Sequence, residues 1–328
     1  MKLHNKLSIV YSLFKAKFFR VKIPLIVSWM ITRRCNLMCK YCNNQPVLDS
    51  DDMDTDTIFW IIGQLRQLGT RIIVFTGGEP LLRKDIGKII NFCIKQDIIV
   101  ALNSNGYFVK ERIKEIKGIT LLNLSLDGPP DINDRVRGKN SFNYAVEAAK
   151  IATSEGIKVR FTTVLNKMNI NKKSIDYLLN VAKQFKTTVV FQPVVEELLR
   201  GEGFHSLTSS KEEYREAIDY IISQKKRGKP IGNSLTVLKY FKNYPSTKPV
   251  KCAGYYIYRR IDNKGNIAIC GREKRNRAGN CLKDDFKKAV LEVEFVRCDR
   301  CWCASRLEIN YLFLLHPEVI INTIRKLT

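Results

Sequence analysis

Three cysteines within eight residues are the feature of this chain best suited to chemistry. Cys35, Cys39 and Cys42 lie in the stretch CNLMCKYC, with gaps of three and two residues between them. A structural zinc ion takes four ligands, often in two separated pairs, and no histidine lies nearby. Iron-sulfur cubanes take closely spaced thiolates, and three thiolates leave one iron without a protein ligand. The triplet therefore predicts a cluster with an open iron. The alternative is half of a zinc ribbon that the C-terminal cysteines complete.

Composition limits what these thiols can do. The chain has 328 residues, 45% of them hydrophobic, which is enough to bury a sizeable core. The N-terminus lacks a signal-peptide cleavage site, and no apolar run approaches the roughly 20 residues of a membrane span. We therefore expect a cytoplasmic protein. In that compartment ten cysteines indicate metal or redox chemistry rather than disulfides.

The charge is strongly basic, with 56 Lys and Arg against 32 Asp and Glu, a net of +24. Such an excess suggests an anionic partner such as nucleic acid, lipid headgroups or an acidic peptide, or else a lysine-rich solvated surface. The basic residues are spread along the chain, and their aromatic neighbours form no stacking motif like that of an RNA-recognition module. A nucleic-acid partner is therefore not expected.

Six short β-branched runs alternate with amphipathic stretches in the middle of the chain. The runs are 25–31, 71–76, 98–103, 121–127, 158–165 and 187–194. Between them apolar residues recur at three- and four-residue steps, as in TIFWIIGQLRQLG at 57–69. Six β/α units predict a parallel sheet covered by helices, as an open sheet or an incomplete barrel.

Polar or glycine-rich inserts follow four consecutive strands. They are CNLMCKYC, then GGEP at 77–80, NSNG at 103–106 and SLDG at 125–128. In a barrel the carboxyl ends of the strands converge on one mouth, where active sites are built. An open sheet instead gathers its ligand at one switch point. We therefore predict an incomplete (β/α)6 TIM-like barrel whose mouth carries all four inserts.

The cysteine triplet after the first strand, followed by GGEP after the second, resembles the radical S-adenosylmethionine (SAM) superfamily over about residues 25–195. The resemblance implies that Cys35, Cys39 and Cys42 hold a 4Fe-4S cluster whose open iron chelates SAM. It implies that an electron, from a donor such as flavodoxin or ferredoxin, cleaves SAM to a 5′-deoxyadenosyl radical. That radical abstracts a hydrogen from the substrate.

The same resemblance assigns contacts with SAM position by position. Tyr41 matches the aromatic residue whose backbone meets the adenine. Gly77, Gly78, Glu79 and Pro80 match the motif that receives the methionyl amino group, where glycines permit close approach and a carboxylate suits an ammonium. An ordinary strand-to-helix turn is the plainer interpretation of GGEP.

Two further segments resemble the peptide-modifying branch of the superfamily. Ser125 and Asp127 match its SxDG element, and the resemblance implies that the serine helps to bind SAM. Arg137, in NDRVRG, would pair with the SAM carboxylate, as guanidinium geometry allows. Asn133 stands where that branch has a histidine. A surface salt bridge is the alternative for Arg137.

Six more cysteines lie near the C-terminus. Cys252 and Cys270 flank DNKG (262–265), a predicted hairpin turn, and a CxxCxC run follows at Cys298, Cys301 and Cys303. This resembles the SPASM and shorter Twitch extensions, which carry auxiliary iron-sulfur clusters. We predict one auxiliary cluster on Cys252, Cys270, Cys298 and Cys301, with Cys303 or Cys281 able to replace one ligand. A tetrahedral zinc site is the alternative.

Other titratable residues have plainer interpretations. Cys93, within the helical pattern IGKIINFCIKQ, is predicted to be a buried core thiol. In the sulfatase-maturing relatives an aspartate follows the auxiliary cysteine, whereas Gly271 and Arg272 follow Cys270 here. Glu273 or another acid could serve as a base instead. His4 and His316 lie outside the predicted barrel, and His205 lies in a loop.

The predicted helix at 5–22 places Leu7, Val10, Phe14 and Phe18 on one face beside several lysines. It could lie on an anionic membrane surface, or pack on the bottom or side of the barrel. We expect this helix within residues 1–24, the partial barrel within 25–228 and the small cysteine-rich domain within 229–328.

These patterns predict an enzyme that modifies a peptide or protein by radical chemistry. One alternative is a lipid or isoprenoid substrate at the membrane surface, with residues 1–22 making the contact. The other is a non-catalytic metal-cysteine protein that binds nucleic acid.

Overall fold

Strands and helices alternate along most of the chain in the computed structural model. It describes residues 3–42, 51–194, 207–246, 248–270, 277–294, 298 and 300–327. Six strands follow one another, each paired in parallel with the next. They are β1 (Ile26–Thr32), β2 (Ile72–Gly77), β3 (Ile99–Ser104), β4 (Leu121–Ser125), β5 (Val159–Leu165) and β6 (Val189–Pro193). All six coincide with the β-branched runs, three of them extending one residue further, so the predicted α/β class is confirmed.

Helices join these strands and cover the sheet. They are α1 (Leu3–Phe18), α2 (Thr55–Gln67), α3 (Ile86–Lys95), α4 (Val109–Arg112), α5 (Pro130–Arg137), α6 (Ser141–Ser154) and α7 (Lys172–Gln184). In α3 the residues Ile86, Ile89, Ile90 and Cys93 are buried, because steps of three and four residues bring them to one face. The prediction that Cys93 is a core thiol is confirmed.

The remaining elements extend the sheet at its other edge. They are α8 (Lys211–Lys226), α9 (Leu235–Phe241), α10 (Gly254–Ile257), β7 (Tyr258–Ile261), β8 (Asn266–Ala268), β9 (Arg277–Asn280), α11 (Phe286–Leu291), α12 (Ala304–Phe313) and α13 (Pro317–Leu327). Strand β7 pairs in parallel with β1, and β8 and β9 continue antiparallel. The predicted hairpin turn lies between β7 and β8, with Gly265 at a φ of 80°.

The sheet is not closed. Its nine strands run in the order β6-β5-β4-β3-β2-β1-β7-β8-β9, so β6 and β9 are the two edges of the part that the structure describes. The predicted incomplete barrel is therefore confirmed, and the cysteine-rich region shares the sheet of the barrel through β7. The main core lies between sheet and helices, where Val27 and Trp29 of β1 are fully buried.

Helix α1 packs at the amino ends of the strands. Ala16 lies in one apolar cluster with Leu25, which precedes β1, and with Ile257, which precedes β7. Arg71, just before β2, donates from Nε to Ser8 Oγ at 2.9 Å. Packing on the bottom of the barrel, one of the two predicted positions for this helix, is therefore observed. None of the described helices is both long enough and apolar enough to cross a membrane.

Candidate functional site

The GGEP motif contacts the backbone that leads into the cysteine triplet. Gly78 N donates to Thr32 O at 2.9 Å, and Glu79 N donates to Arg34 O at 2.7 Å. A Cβ atom on Gly77 or on Gly78 would lie 2.1 Å from one of those two carbonyl oxygens. Both positions therefore require glycine, because any side chain would push the two segments apart. The sequence predicted that these glycines permit close approach to a ligand. Within the protein they permit close approach to the chain that leads into the triplet.

The Glu79 side chain joins the ends of β2 and β3. It is fully buried, and its carboxylate accepts hydrogen bonds from Leu81 N at 3.0 Å, Ser104 Oγ at 3.0 and 3.1 Å, and Asn105 N at 2.8 Å. Burial raises the pKa of Glu79 to about 7, although these hydrogen bonds act in the opposite direction. Its predicted contact with the SAM amino group stays a prediction. Ser104 and Asn105 belong to the NSNG insert, which the sequence placed at the mouth without a role.

Tyr41, Asp127 and Arg137 meet in a buried cluster. Tyr41 Oη donates to Asp127 Oδ2 at 2.7 Å, and Arg137 Nε lies 2.7 Å from the same oxygen. The Arg137 guanidinium carbon lies 5.4 Å from the centroid of the Tyr41 ring. Burial raises the pKa of Tyr41 well above its usual value. Burial alone would lower the pKa of Arg137, but the charges of Asp127, Tyr41 and Cys39 and the hydrogen bond to Asp127 together outweigh it, and the net pKa is raised.

Asp127 is held in place by further hydrogen bonds. Val164 N donates to its Oδ1 at 2.8 Å, and Asn169 Nδ2 donates to its carbonyl oxygen at 2.7 Å. Asp127 N donates to Asn133 Oδ1 at 2.8 Å, while Asn133 Nδ2 donates to Ser141 Oγ. Asn133, which departs from the peptide-modifying pattern, is therefore a buried positioning residue for Asp127. No sequence signal pointed to Asn169, whose partners lie 42 and 5 residues away.

The end of α5 is attached to the cysteine loop. Lys40 N donates to Val136 O at 2.9 Å, and the Cys39 thiol lies 3.8 Å from Arg137 O. Tyr41 also packs in a small apolar cluster with Val136 and Val164. The last turn of α5 therefore presents its free carbonyl groups to the triplet loop, while its final side chain holds Asp127.

The three thiols of the triplet lie close enough for their charges to interact. Burial raises the pKa of Cys35 to about 11 and that of Cys39 to about 12, and a charge on Cys42 would raise both further. The Arg137 guanidinium acts in the opposite direction on Cys39. Iron binding would replace these thiol protons. A site with three half-buried thiols and a buried cation beside one of them fits an anionic iron-sulfur cluster.

Among the residues that the structure describes, no three Cys, His, Asp or Glu side chains converge closely enough to surround one metal ion. The thiolates of a cubane bind separate iron atoms, so they stand farther apart than the ligands of a single ion.

Ser125 and Pro80 complete the predicted residues at the mouth. Ser125 ends β4, opposite Thr162 of β5, and is half-buried two residues before Asp127. Pro80 is buried and begins a 3-10 turn at Pro80–Leu82. The structure thus brings Tyr41, Asp127 and Arg137 into one cluster and the GGEP residues against the chain before Cys35.

Four of the C-terminal cysteines lie near a buried arginine. Charges on Cys252, Cys270 and Cys303 all act on Arg306, and the Arg306 charge acts on Cys301. The Arg306 guanidinium carbon lies 3.0 Å from the centroid of the Tyr258 ring. Its Nη1 is buried and has no hydrogen-bond partner among the described residues. A cation with a spare donor beside four thiols fits an anionic metal-sulfur group.

One of the six C-terminal cysteines is fully buried. Cys281 is fully buried in the main core, its Sγ lies 3.0 Å from where a Cβ on Gly265 would be, and burial raises its pKa to about 12. It therefore packs under the hairpin turn, which leaves Cys303 as the better replacement ligand. Cys298 is half-buried.

The candidate bases have no observed contact with either cysteine group among the residues that the structure describes. His205, Gly271, Arg272 and Glu273 lie outside the described residues. His316 lies at the junction of α12 and α13, where its Nδ1 is 3.4 Å from Thr236 Oγ1, and His4 lies in α1.

The chain is similar to known proteins in sequence and in fold. Residues 29–183 match the family model of the Radical SAM superfamily. An Fe-coproporphyrin III synthase from Methanosarcina barkeri is 28% identical over 75% of this chain and 60% of its own length. A GTP 3′,8-cyclase from Nautilia profundicola is 31% identical over 49% of this chain and 53% of its own length. The chain thus spans about half to three fifths of these curated relatives.

Solved structures share the fold at low identity. Streptococcus suis SuiB bound to S-adenosylmethionine superposes with a TM-score of 0.66 and 18% identity, over 84% of this chain and 68% of that one. The enzyme anSMEcpe with bound AdoMet gives a TM-score of 0.62 at 16% identity, over 92% and 95% of the two chains. At these identities the likeness establishes the fold.

Proposed function

Since this chain belongs to the radical SAM superfamily, we propose that it cleaves SAM reductively and uses the resulting radical to modify a peptide or protein. The observation that carries this proposal is the contact between the two motifs. The backbone of Gly78 and Glu79 is hydrogen-bonded to Thr32 and Arg34, directly before Cys35. That contact would hold a molecule bound by GGEP next to a cluster bound by the triplet.

Cys35, Cys39 and Cys42 would hold the 4Fe-4S cluster, leaving one iron free for SAM. When bound, that cluster would pass on an electron from a donor such as flavodoxin or ferredoxin. That electron would cleave SAM to methionine and a 5′-deoxyadenosyl radical. Arg137 contacts Asp127 through Nε, so its two terminal nitrogens are not used by that pair. They suit a bidentate contact with the SAM carboxylate.

The remaining SAM contacts would come from the neighbouring strand ends. The Tyr41 side chain is held by Asp127, which would fix its backbone at the adenine. Ser125, at the end of β4, would add a hydroxyl. The methionyl amino group of SAM would contact backbone atoms of Gly77, Gly78, Glu79 and Pro80. The contact would use backbone atoms because the Glu79 side chain already accepts hydrogen bonds from the protein.

A peptide substrate is supported by Ser125, Asp127 and Arg137, which follow the peptide-modifying pattern. Asp127 and Arg137 also form one cluster with Tyr41. Two solved relatives are described with peptides, SuiB with precursor peptide SuiA and anSMEcpe with the Kp18Cys peptide. The likeness of these two chains is structural rather than close in sequence.

A second candidate substrate is a porphyrin. The relative named for Fe-coproporphyrin III matches 251 residues of this chain, well beyond the region of the family model. A lipid or isoprenoid substrate is less favoured, because α1 lies at the amino ends of the strands while the triplet lies at their carboxyl ends. A nucleic-acid-binding role would leave the GGEP contacts without a purpose.

The C-terminal region, within residues 229–328, would hold one auxiliary cluster. Its ligands would be Cys252, Cys270, Cys298 and Cys301, with Cys303 as the replacement. Arg306 would offset part of the negative charge of that group. A zinc ion is the alternative, and iron, zinc and sulfide analysis of the purified protein distinguishes the two.

The test is the release of 5′-deoxyadenosine from SAM by anaerobically reconstituted, dithionite-reduced protein. Cys39→Ala should abolish release, whereas Cys93→Ala, a core cysteine far from the triplet in sequence, should retain it. Addition of peptides or of a porphyrin should then raise the rate for the correct substrate class. If SAM neither binds nor is cleaved when the first cluster is assembled, the proposal fails.

A further inference from the structure

Helix α1 is apolar on two faces. Its inner face packs against the protein, where Ala16 is buried together with Ala253 and Ile257. Its outer face, together with Phe19 directly after its last residue, presents six large side chains that are each between 49% and 68% exposed. They are Leu7, Val10, Tyr11, Phe14, Phe18 and Phe19. A surface helix normally turns charged residues outward, so a second apolar face indicates a second partner.

The exposed aromatic rings of the outer face form a continuous patch. The ring centroids of Phe14 and Phe18 are 4.8 Å apart, and those of Phe14 and Phe19 are 5.9 Å apart. Single exposed apolar residues are common on protein surfaces and need no explanation. A cluster of three touching rings beside three further apolar residues is instead the form that an interaction surface takes.

Positive charge surrounds this patch. The first 24 residues contain six Lys and Arg and no Asp or Glu. Lys15 Nζ lies 4.8 Å from the Tyr11 ring centroid, and Lys17 Nζ lies 5.3 Å from the Phe313 ring centroid. With 3.6 residues per turn, Lys15 and Lys17 lie on opposite sides of the stripe formed by Phe14 and Phe18. The partner must therefore be apolar at its centre and anionic around it.

A bilayer that contains anionic lipids has this chemistry. Aromatic and aliphatic side chains enter the boundary of headgroups and acyl chains, while lysine stems reach back to the phosphates. A second copy of this chain is disfavoured, because two segments of the same strong positive charge would repel each other. At 16 residues, α1 is shorter than the roughly 20 that span a membrane, so it suits a position parallel to the surface.

The position of α1 also determines what a docked protein would present. The helix packs at the amino ends of β1 and β7, whereas Cys35, Gly78 and Asp127 follow the carboxyl ends of their strands. A lipid surface against the outer face would therefore lie on the side of the barrel away from its mouth. Docking would leave the mouth open to a substrate from solution.

We infer that the outer face of α1 docks the protein on an anionic lipid surface, with the helix parallel to that surface and the barrel mouth facing away. The inference does not depend on the substrate or on SAM cleavage, because neither the cluster ligands nor the residues of the mouth belong to the outer face.

Flotation of the full chain, with its clusters, on lipid vesicles tests the inference. We expect binding to vesicles of phosphatidylcholine with phosphatidylglycerol, weaker binding to phosphatidylcholine alone, and loss of binding as salt is raised. The variant Phe14→Ser/Phe18→Ser should bind at least ~10-fold more weakly, since it removes two of the three clustered aromatic rings that would enter the lipid. The variant Lys15→Glu/Lys17→Glu should lose the preference for anionic lipid.

The matched control is Lys150→Glu/Lys183→Glu, which makes the same charge change at exposed sites on α6 and α7. It should float like the parent protein, and circular dichroism should show that all three variants keep their helix content. Failure of the parent chain to float with anionic vesicles would overturn the inference. So would a dimer in sedimentation velocity that dissociates in Phe14→Ser/Phe18→Ser, since the outer face would then bind a second copy.

Discussion

Arg137 and Asp127 form a buried ion pair between the end of α5 and the chain that follows β4, with Nε and Oδ2 2.7 Å apart. Tyr41, from the loop of the cysteine triplet, donates to the same carboxylate oxygen. One carboxylate therefore connects the triplet loop, the helix after β4 and, through Val164 N, strand β5. Any change to Asp127 should therefore affect all three segments.

Asp127→Asn should lower the free energy of unfolding by about 3 kcal/mol, because it leaves a buried guanidinium without its counter-charge. The amide group of the new side chain would also place its hydrogens against groups, such as Tyr41 Oη, that now donate hydrogen bonds to the carboxylate. Urea unfolding of the cluster-free protein measures the change. Glu147→Gln, which breaks the exposed pair with Lys110, is the control and should cost under about 1 kcal/mol. Equal losses in the two variants would show that the buried pair has no special role.

Gly78→Ala should reduce the iron bound at the triplet, because its Cβ would lie 2.1 Å from Arg34 O, one residue before Cys35. Iron and sulfide analysis after anaerobic reconstitution, with the absorption of the cluster, measures this loss. Gly63→Ala is the matched control, since a Cβ there has no heavy atom within 4 Å. It should keep its iron and gain a few tenths of a kcal/mol to about 1 kcal/mol in helix stability. A Gly78→Ala protein with full iron content would contradict the proposed role of the contact.

Glu79 should make stability depend on pH in a defined window. Burial raises its pKa from 4.5 to about 7, so the folded state holds this proton more tightly than the unfolded state does. Its contribution is then complete below about pH 4.5 and is lost as the pH rises through about 7. Relative to Glu79→Gln, the parent should lose about 3 kcal/mol across that window.

Denaturant unfolding of the cluster-free parent and of Glu79→Gln, at matched pH values, measures this difference. All other ionisable groups are common to the two proteins, so their effect cancels. A constant difference between the two proteins from pH 4.5 to 7 would mean that the carboxyl group is ionised in the fold across the whole range.

Arg306 should tune the auxiliary group rather than bind it. Arg306→Met removes a buried positive charge beside Cys252, Cys270 and Cys303, so the reduction potential of an auxiliary cluster should become more negative. Arg306→Lys keeps the charge and should shift the potential less. A redox titration followed by electron paramagnetic resonance reads this directly. An unchanged potential in Arg306→Met would place the cluster elsewhere.

The variants Cys301→Ala and Cys281→Ala should distinguish a ligand of the auxiliary cluster from a core thiol. Cys301 shares the electrostatic environment of Cys252, Cys303 and Arg306, whereas Cys281 packs under Gly265. Cys301→Ala should lose the auxiliary iron and keep the iron of the triplet. Cys281→Ala should keep both and lose only stability, through the small cavity it leaves. Iron analysis with thermal unfolding distinguishes these outcomes, and loss of auxiliary iron in Cys281→Ala would assign it as a ligand.

Local patterns in the sequence were enough for the strands, the hairpin turn and the two motifs. Strand-like runs such as 71–76 are continuous and β-branched because one face of the strand is fully buried and the other is half-buried. The turn at 262–265 needs a glycine with positive φ, and Gly265 supplies it. Both signals arise from residues that are neighbours along the chain, so no tertiary structure is needed to read them.

Contacts across the fold could not be read in the same way. Asn133 departs from the peptide-modifying pattern, and its role follows only from its hydrogen bonds with Asp127 N and Ser141 Oγ. The role of Asn169 likewise follows only from its hydrogen bond to Asp127 O. The outer and inner faces of α1 are both apolar, so periodicity alone could not tell which face packs. Its burial is decided by Leu25, Ala253 and Ile257, the last two more than 230 residues away.

The sequence by itself determined the kind of chemistry and the class of fold, because three thiols at 35–42 and a β/α repeat are properties of residue type and spacing. Only the tertiary structure decided which carboxylate pairs with Arg137, which cysteine is buried in the core and which face of α1 remains exposed. Those outcomes depend on burial and on distances between segments far apart in the chain. Such quantities do not exist until the sheet has assembled.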